Sequence, residues 1–375
     1  MQQHSKSNSK LPIKLKMNSK YYIWGTGYMS EQINLFCSYE MKKLNIVGYI
    51  DNDKSKEGET FFGKKIYSPK VLENEKECKI IIAINDTREV RKQIVKDYPW
   101  LKEQIVGDEI WNRLKLITRY EKSTDIEIKE IVDYIEKNPL QIFNYNYLNK
   151  YKKDDLAIEY DEKNAMYYVV FSGKPMYFSR KYKTKEMVRE YYYSICIEQD
   201  IESPHRYLLN EFDVEDGNII VDAGVAEGNF TLSVIDKISK AYLFEPDEEW
   251  IEALSLTFAD YKDKVVIINK CLSNYVNIDT TTIDECIKEK IDFIKMDIEG
   301  EEYYALEGAK EHIRKAEHMK AVICTYHQEF AYQALERLLN DYKFRTCSST
   351  GYMWYPDHNI FRAPVLRRGL IRGVK

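Results

Sequence analysis

Five short runs, NIIVDAG, AYLFEPD, KVVIINK, IDFIKMD and KAVICTYH, follow one another between residues 218 and 327. Each is an almost unbroken apolar stretch too short for a helix. Strands buried on both faces of a parallel sheet read this way. Helix-period segments open at Gly228-Asn229-Phe230 and run through EEWIEALSLTFADY and FAYQALERLLNDY. Strands alternating with helices predict an α/β fold with right-handed crossovers. FRTCSS and HNIFRAP read as a closing pair of strands, before a basic tail, VLRRGLIRGVK. A second strand–helix series occupies about 20–110: KYYIWGTGYM, LNIVGYID, CKIIIAIND and TREVRKQIVKDY. Between the two series, 111–200 reads as a helical connector with a hairpin turning at Ser172-Gly173-Lys174-Pro175. The expected organisation is a leader over 1–19, an N-terminal α/β domain over 20–110, the connector over 111–200 and a second α/β domain over 201–375.

Composition narrows the class. A chain of 375 residues fits two domains. With 13% aromatic residues there is too much to bury for a disordered chain. The net charge of −5 supplies no basic field for nucleic acid, although some aromatics are interleaved with Lys. The seven cysteines are scattered and form no CxxC. That argues against a disulfide framework or a zinc ribbon and fits a reducing cytoplasm. The N-terminal MQQHSKSNSKLPIKLKMNSK lacks the apolar stretch of a signal peptide, and no apolar run is long enough to span a membrane.

The chemistry concentrates where strands end. Asp222-Ala223-Gly224-Val225-Ala226-Glu227-Gly228 closes the first run of the second series. A Gly there admits close backbone approach, and the helix start beyond offers free N–H groups to an anionic ligand group. Glu245 closes the next run, where a carboxylate accepts from both ribose hydroxyls. A nucleoside-containing cofactor is expected. Asp222 and Glu227 stand where a GxGxxG would carry its first and third Gly, which disfavours NAD. Lys295-Met296-Asp297-Ile298-Glu299-Gly300-Glu301-Glu302 is a second cluster, and His327 ends KAVICTYH. Asp222, Glu245, Asp297 and His327 fall on one sheet edge, where ligands of open α/β sheets bind. His327 suits proton removal from a hydroxyl, with Asp297 orienting it or the acceptor. His205 and Arg206, in SPHRY, and Arg367 and Arg368, in the tail, are candidate acceptor contacts; a loop and a solvated end are the plainer readings. Tyr191-Tyr192-Tyr193 reads as packing rather than a stacking platform. In the N-terminal domain, Gly25 and Gly27 form a GxG turn, and Asp51 ends the following strand where a ribose contact belongs.

VDAGVAEGNFTL, YLFEPD, TTIDE and especially DFIKMDIEGEEYYALEGA resemble the FkbM family of S-adenosylmethionine-dependent methyltransferases. The resemblance covers about 200–345. It implies two Rossmann-like domains, the C-terminal one a class I methyltransferase sheet with its last strand antiparallel. It implies methyl transfer to oxygen; family members act on sugars, macrolides and other hydroxylated metabolites. Carried over to this sequence, Asp222 and Gly224, with Glu227 and Gly228 in the same loop, line the methionine part. Glu245 takes the ribose, and Lys270-Cys271-Leu272-Ser273 flanks the adenine. Asp297, Glu299 and His327 face the acceptor. The N-terminal segment is similar to small domains that front sugar-modifying enzymes, so a sugar or nucleotide-sugar acceptor of surface glycan synthesis is expected. The rival arrangement puts a divalent metal on Asp297 and Glu299, and it is not favoured over none. An NAD-dependent sugar enzyme and a non-catalytic nucleotide-binding assembly protein are the other readings. The sequence leaves the oligomeric state open, a homo-oligomer included.

Overall fold

The computed structural model describes residues 19–107, 109–356 and 364–375. The chain divides into two compact units, Met1–Tyr145 with Pro356–Val365, and Asn146–Tyr355 with Leu366–Lys375. The stretch 111–200 falls on both sides of this division. Helices Glu109–Tyr120 and Ile126–Ile135 belong to the first unit, and everything from Asn146 onward to the second.

The first unit is built on a six-stranded sheet. Its central strands, Lys20–Trp24, Asn45–Ile50 and Lys79–Ile82, are parallel. Lys79–Ile82 is buried throughout, as an apolar run inside a parallel sheet must be. Gly25 follows the first strand at φ +112°, and a Cβ there would come within 2.8 Å of the Ala83 carbonyl oxygen. The turn therefore needs Gly to fit against the neighbouring strand.

The second unit holds a seven-stranded sheet: β1 Ile219–Ala223, β2 Lys240–Phe244, β3 Val265–Ile268, β4 Phe293–Met296, β5 Lys320–Cys324, β6 Arg345–Ser348 and β7 Leu370–Val374. The order across the sheet is β3-β2-β1-β4-β5-β7-β6. Only β7 runs against the others, pairing with both β5 and β6. Neighbouring residues feed opposite faces. Ile220, Leu243, Phe293, Val322 and Leu370 pack into one core cluster. Val221, Phe244, Ile294, Ile323 and Ile371 pack into the other. Full burial of each such side chain is worth about 1.5–3 kcal/mol. Three helices of this unit carry side chains to the strand ends: α1 Lys185–Glu198, α2 Asn229–Val234 and α3 Glu248–Thr257. The expected hairpin is the second turn of a three-stranded antiparallel sheet, with Ser172 and Gly173 both at positive φ. It docks through the Tyr177 N–H, which donates to the Thr257 hydroxyl of α3 at 2.9 Å.

The C-terminal tail departs from expectation. It is neither a solvated end nor a bearer of free cations, because Leu370–Val374 is the inner strand β7. Arg372 is buried and donates to the carbonyls of Arg206 and Tyr207. The basic residues hid a strand whose apolar positions are few. Of the closing pair, FRTCSS supplies β6, whereas 358–363 of HNIFRAP lie outside the described residues. A chain ending at Arg368 is expected to lose cooperative unfolding, since β5 and β6 would both lose their ladder partner. Unchanged urea midpoint and circular dichroism would show β7 to be dispensable.

Candidate active site

Asp222 and Lys295 sit opposite each other on the two central strands, β1 and β4. Their charges meet at 3.0 Å, both fully buried. Thr231 Oγ1, on α2, donates to the other Asp222 oxygen at 2.7 Å. Lys295 Nζ also donates to the carbonyls of Gly224, at 2.6 Å, and Ala223, at 3.3 Å. Asp222 is thus an anchor beneath the loop, and its carboxylate is spent on Lys295 and Thr231. Gly224 lines the cavity and also makes a close backbone contact within the protein. At φ +72°, a Cβ would lie 1.7 Å from the Asp297 carbonyl oxygen. The glycine lets the backbone beyond β4 close on the loop beyond β1.

A cavity of about 620 Å³ opens at the carboxyl ends of these strands. Gly224, Ala226, Glu245, Lys270, Cys271, Leu272, Asp297, Glu299 and Tyr326 line it. Glu245 presents a carboxylate whose Oε2 accepts from Ala226 N at 2.8 Å and whose Oε1 accepts from Asp247 N at 2.9 Å. One lone pair remains on each oxygen, which suits a vicinal diol. Glu227 is 4% exposed and accepts from the Tyr191 hydroxyl at 2.9 Å. Burial pushes its carboxyl up to about 7, against the pull of hydrogen bonds and Lys295. Ser273 is buried outside the lining, with its N–H on Thr281 O, while Lys270, Cys271 and Leu272 of the same stretch reach the cavity. Ala226 and Glu299, both on the lining, hold positive φ of 47° and 58°. Such strain costs about 1–3 kcal/mol each and persists where the surroundings fix it.

Asp297 is the hub of the other wall. It accepts from the Tyr207 hydroxyl at 2.9 Å and the Tyr326 hydroxyl at 3.1 Å. His205 Nε2 lies at 3.5 Å and His327 Nε2 at 3.4 Å. Burial alone would raise the Asp297 carboxyl; the fields of His205, Lys295 and His327 and the Tyr207 hydroxyl prevail and hold it at about 2. His205 is buried and pushed down to about 4, so it is neutral and packed rather than open to an acceptor. His327 has a side chain 4% exposed, with Nδ1 3.0 Å from Glu302 Oε1 and Nε2 3.6 Å from Glu299 Oε2. Burial would lower its pKa, but Glu302, Asp297 and Glu299 together raise it. The ring expected to take a proton is drawn toward its charged form by three carboxylates and lies off the cavity lining.

Arg206 donates to the carbonyls of Leu208 and Gln199, Arg367 to those of Tyr326 and His327, and Arg368 to those of Ser349 and Gly351. These guanidinium groups, expected as acceptor contacts, tie loops together. Donor atoms of Asp297, Glu302 and His327 lie within 4.8 Å of one another, as do those of His205, Asp297 and Cys324. Asp297 already accepts from two tyrosyl hydroxyls and Glu302 from two backbone amides, with the His327 ring close to both. Sequence reading passed over Tyr207, Tyr326 and Lys295 as site residues, though all three stand inside quoted motifs. It passed over Glu198, at the end of α1, and the wall of Tyr182, Tyr191 and Trp250, whose rings meet at 4.9–5.8 Å and line the cavity.

In the first unit, Asp51 accepts from Thr26 Oγ1, from Asp53 N at 2.9 Å and from Lys56 Nζ at 3.0 Å. Its carboxylate is thus engaged within its own loop. A small apolar cavity of about 120 Å³, lined by residues such as Met29, Phe36 and Trp111, includes none of Gly25, Gly27 or Asp51.

This strand order and this cluster at the carboxyl edge define a methyltransferase-type sheet. The family model described as the methyltransferase FkbM domain matches residues 134–346, and the chain belongs to that family. A second model, described as C2185-like, N-terminal, matches residues 17–106. Among solved structures, methyltransferase FkbM from Methylobacillus flagellatus KT is similar at 15% identity over 95% of this chain and 90% of that one, with a TM-score of 0.40. A putative methyltransferase from Streptococcus mutans in complex with SAH shares 16% identity over 43% of this chain and 91% of that one, TM-score 0.29. UDP-D-quinovosamine 4-dehydrogenase from Vibrio fischeri shares 19% identity over 24% of this chain and 76% of that one, TM-score 0.20. Comparison with curated proteins gave no match. Among the described residues, no helix is long and apolar enough to cross a membrane.

Two outcomes are expected from this geometry. Lys295→Met leaves Asp222 charged and unpaired in the core and should cost about 3–5 kcal/mol in urea unfolding. Adding Asp222→Asn should recover part of it; full stability of the single variant would refute the anchor. Glu227 binds its proton more tightly folded, at about 7, than unfolded, near 4.5. Its contribution to stability is therefore complete below pH 4.5 and is lost as pH rises through 7. Glu227→Gln should gain on the wild type by on the order of 3 kcal/mol between those pH values; a constant difference would show that Glu227 titrates normally.

Proposed function

We propose that this methyltransferase uses S-adenosylmethionine and transfers methyl to a hydroxyl of a sugar or nucleotide-activated sugar in surface glycan synthesis. The observation that carries the cofactor reading is Glu245. Its carboxylate ends β2, faces the cavity and keeps a free lone pair on each oxygen, the arrangement a ribose diol requires. The strained loop from Gly224 to Gly228 would hold the methionine part, and Cys271 and Leu272 the adenine. The carboxylates around the cavity favour a cation, and the bound cofactor supplies a methyl group already activated on a sulfonium.

The residues then have little covalent work beyond placing a hydroxyl in line and receiving its proton. Asp297 is set at the acceptor wall by Tyr207 and Tyr326, and its low pKa keeps it an acceptor of hydrogen bonds at all working pH values. His327 holds Asp297 ionised and placed, and Glu299 projects beside it from a turn whose amides rest on Glu302. The sugar assignment rests on the family resemblance, with support from the aromatic wall of Tyr182, Tyr191 and Trp250, which offers faces for a sugar ring.

Calorimetric titration with S-adenosylhomocysteine, and with NAD in parallel, tests the cofactor. Binding of S-adenosylhomocysteine that falls at least about a hundredfold in Glu245→Ala is expected, since two hydrogen bonds to a charged group are lost. Binding of NAD alone would overturn the reading.

A further inference from the structure

Of the acids lining the cavity, Asp247 is paired with Lys181, and Glu299 and Glu301 are exposed. Asp297 holds two tyrosyl hydroxyls, Glu245 two amides and Glu227 one tyrosine. Glu198 differs. It is the last residue of α1 and lines the cavity together with Gly224, Asp297 and Tyr326. Among the described residues no hydrogen bond reaches its carboxyl, on which burial and the through-space fields of Asp297, Glu227 and Lys295 act. It in turn raises the neighbouring hydroxyls of Tyr191, Tyr207 and Tyr326. Half-buried and open to the cavity, the Glu198 carboxyl has its hydrogen-bonding positions turned to whatever fills that cavity.

We infer that Glu198 is the group that takes the proton from the acceptor hydroxyl. This rests on the cofactor reading above. The acceptor oxygen forms its bond to the methyl carbon as the carbon–sulfur bond breaks toward sulfur, and the hydroxyl proton passes to a Glu198 oxygen. The charges balance: a sulfonium and a carboxylate are consumed, and a neutral thioether and a neutral carboxyl remain. Burial, with Asp297 and Glu227 as like-charged neighbours, pushes the Glu198 carboxyl up to about 8 despite Lys295. The free protein at pH 7 therefore holds Glu198 mostly protonated. A cation placed in the cavity reverses that balance. Binding of S-adenosylmethionine should expel the proton, and binding of S-adenosylhomocysteine, which lacks the charge, should not. The two complexes are the states of Glu198 before and after transfer, so no acceptor is needed to read them.

The experiment is calorimetric titration of the full chain at pH 7 with each ligand, in phosphate and in Tris, whose different ionisation heats report proton release. The expected result is close to one proton more released by S-adenosylmethionine than by S-adenosylhomocysteine. The preference for S-adenosylmethionine should also grow by about tenfold or more from pH 6 to pH 8. Glu198→Gln should abolish both effects while still binding S-adenosylhomocysteine, and Glu227→Gln should keep them. Equal proton release by the two ligands in the wild type overturns the assignment, whether or not Glu198→Gln folds. So does a difference that survives in Glu198→Gln. If wild-type protein binds neither ligand, the cofactor reading falls, and this assignment with it; binding without the difference removes Glu198 alone.

Discussion

The pairing of Asp222 with Lys295 across the two central strands is the interaction on which the site depends. Burying two ions costs several kcal/mol each, and their attraction recovers this only with good geometry and further hydrogen bonds. Those bonds are present, from Thr231 on one side and to the carbonyls of Ala223 and Gly224 on the other. The ammonium therefore fixes the loop that leaves β1 against the strand that carries it. Asp297 N donates to Ala223 O at 3.0 Å, and the Asp297 carbonyl packs where a side chain on Gly224 would be. The cofactor loop and the acceptor wall are consequently joined through backbone. Neither can shift without the other.

The same ammonium sets the charges around it. Lys295 lowers the carboxyls of Asp297, Glu198 and Glu227 and suppresses protonation of His205. One buried cation cannot neutralise three acids, so they divide. Asp297, with hydroxyl donors and His327 at hand, stays ionised. Glu198, with no such donor, and Glu227, whose Tyr191 hydroxyl does not outweigh its burial, are driven toward the neutral form. With Asp297 fixed as a carboxylate, Glu198 is the acid that titrates near neutrality on the cavity itself and can answer the arrival and loss of a positive charge, while Glu227 lies off the lining on Tyr191.

Much of this was legible in the sequence because strand ends concentrate chemistry. The apolar runs located β1, β2, β4 and β5, and the residues closing them, Asp222, Glu245, Asp297 and His327, do gather at one edge. What could not be read was which atoms each residue spends on its neighbours. Asp222 looked like a ligand contact and is an anchor, since Lys295 lies opposite it only once the strands pair. His327 looked like a free imidazole and is clamped, because Glu302 returns to it after a turn. β7 was hidden because basic residues break its apolar run, and pairing on both sides makes it a strand. Glu198 carries no local mark at all. Its character comes from packing α1 over a cavity whose walls arrive from residues 181 to 326.

The lining also weighs on the form of the acceptor. Six carboxylates face the cavity, against the ammonium groups of Lys181 and Lys270. Lys181 is already paired with Asp247 at 3.0 Å. Arg206, Arg367 and Arg368, which the sequence offered as acceptor contacts, bind backbone carbonyls instead. Two like charges 6 Å apart repel by about 3 kcal/mol at an effective dielectric of about 20. A diphosphate held inside this cavity would meet that cost from several carboxylates at once, with no free guanidinium of these three to offset it. A neutral sugar hydroxyl meets none of it and gains the aromatic wall. Within this unit, then, the electrostatics favour a sugar that enters the cavity with any phosphate kept outside it, and they favour it most when a cation already occupies the cofactor side.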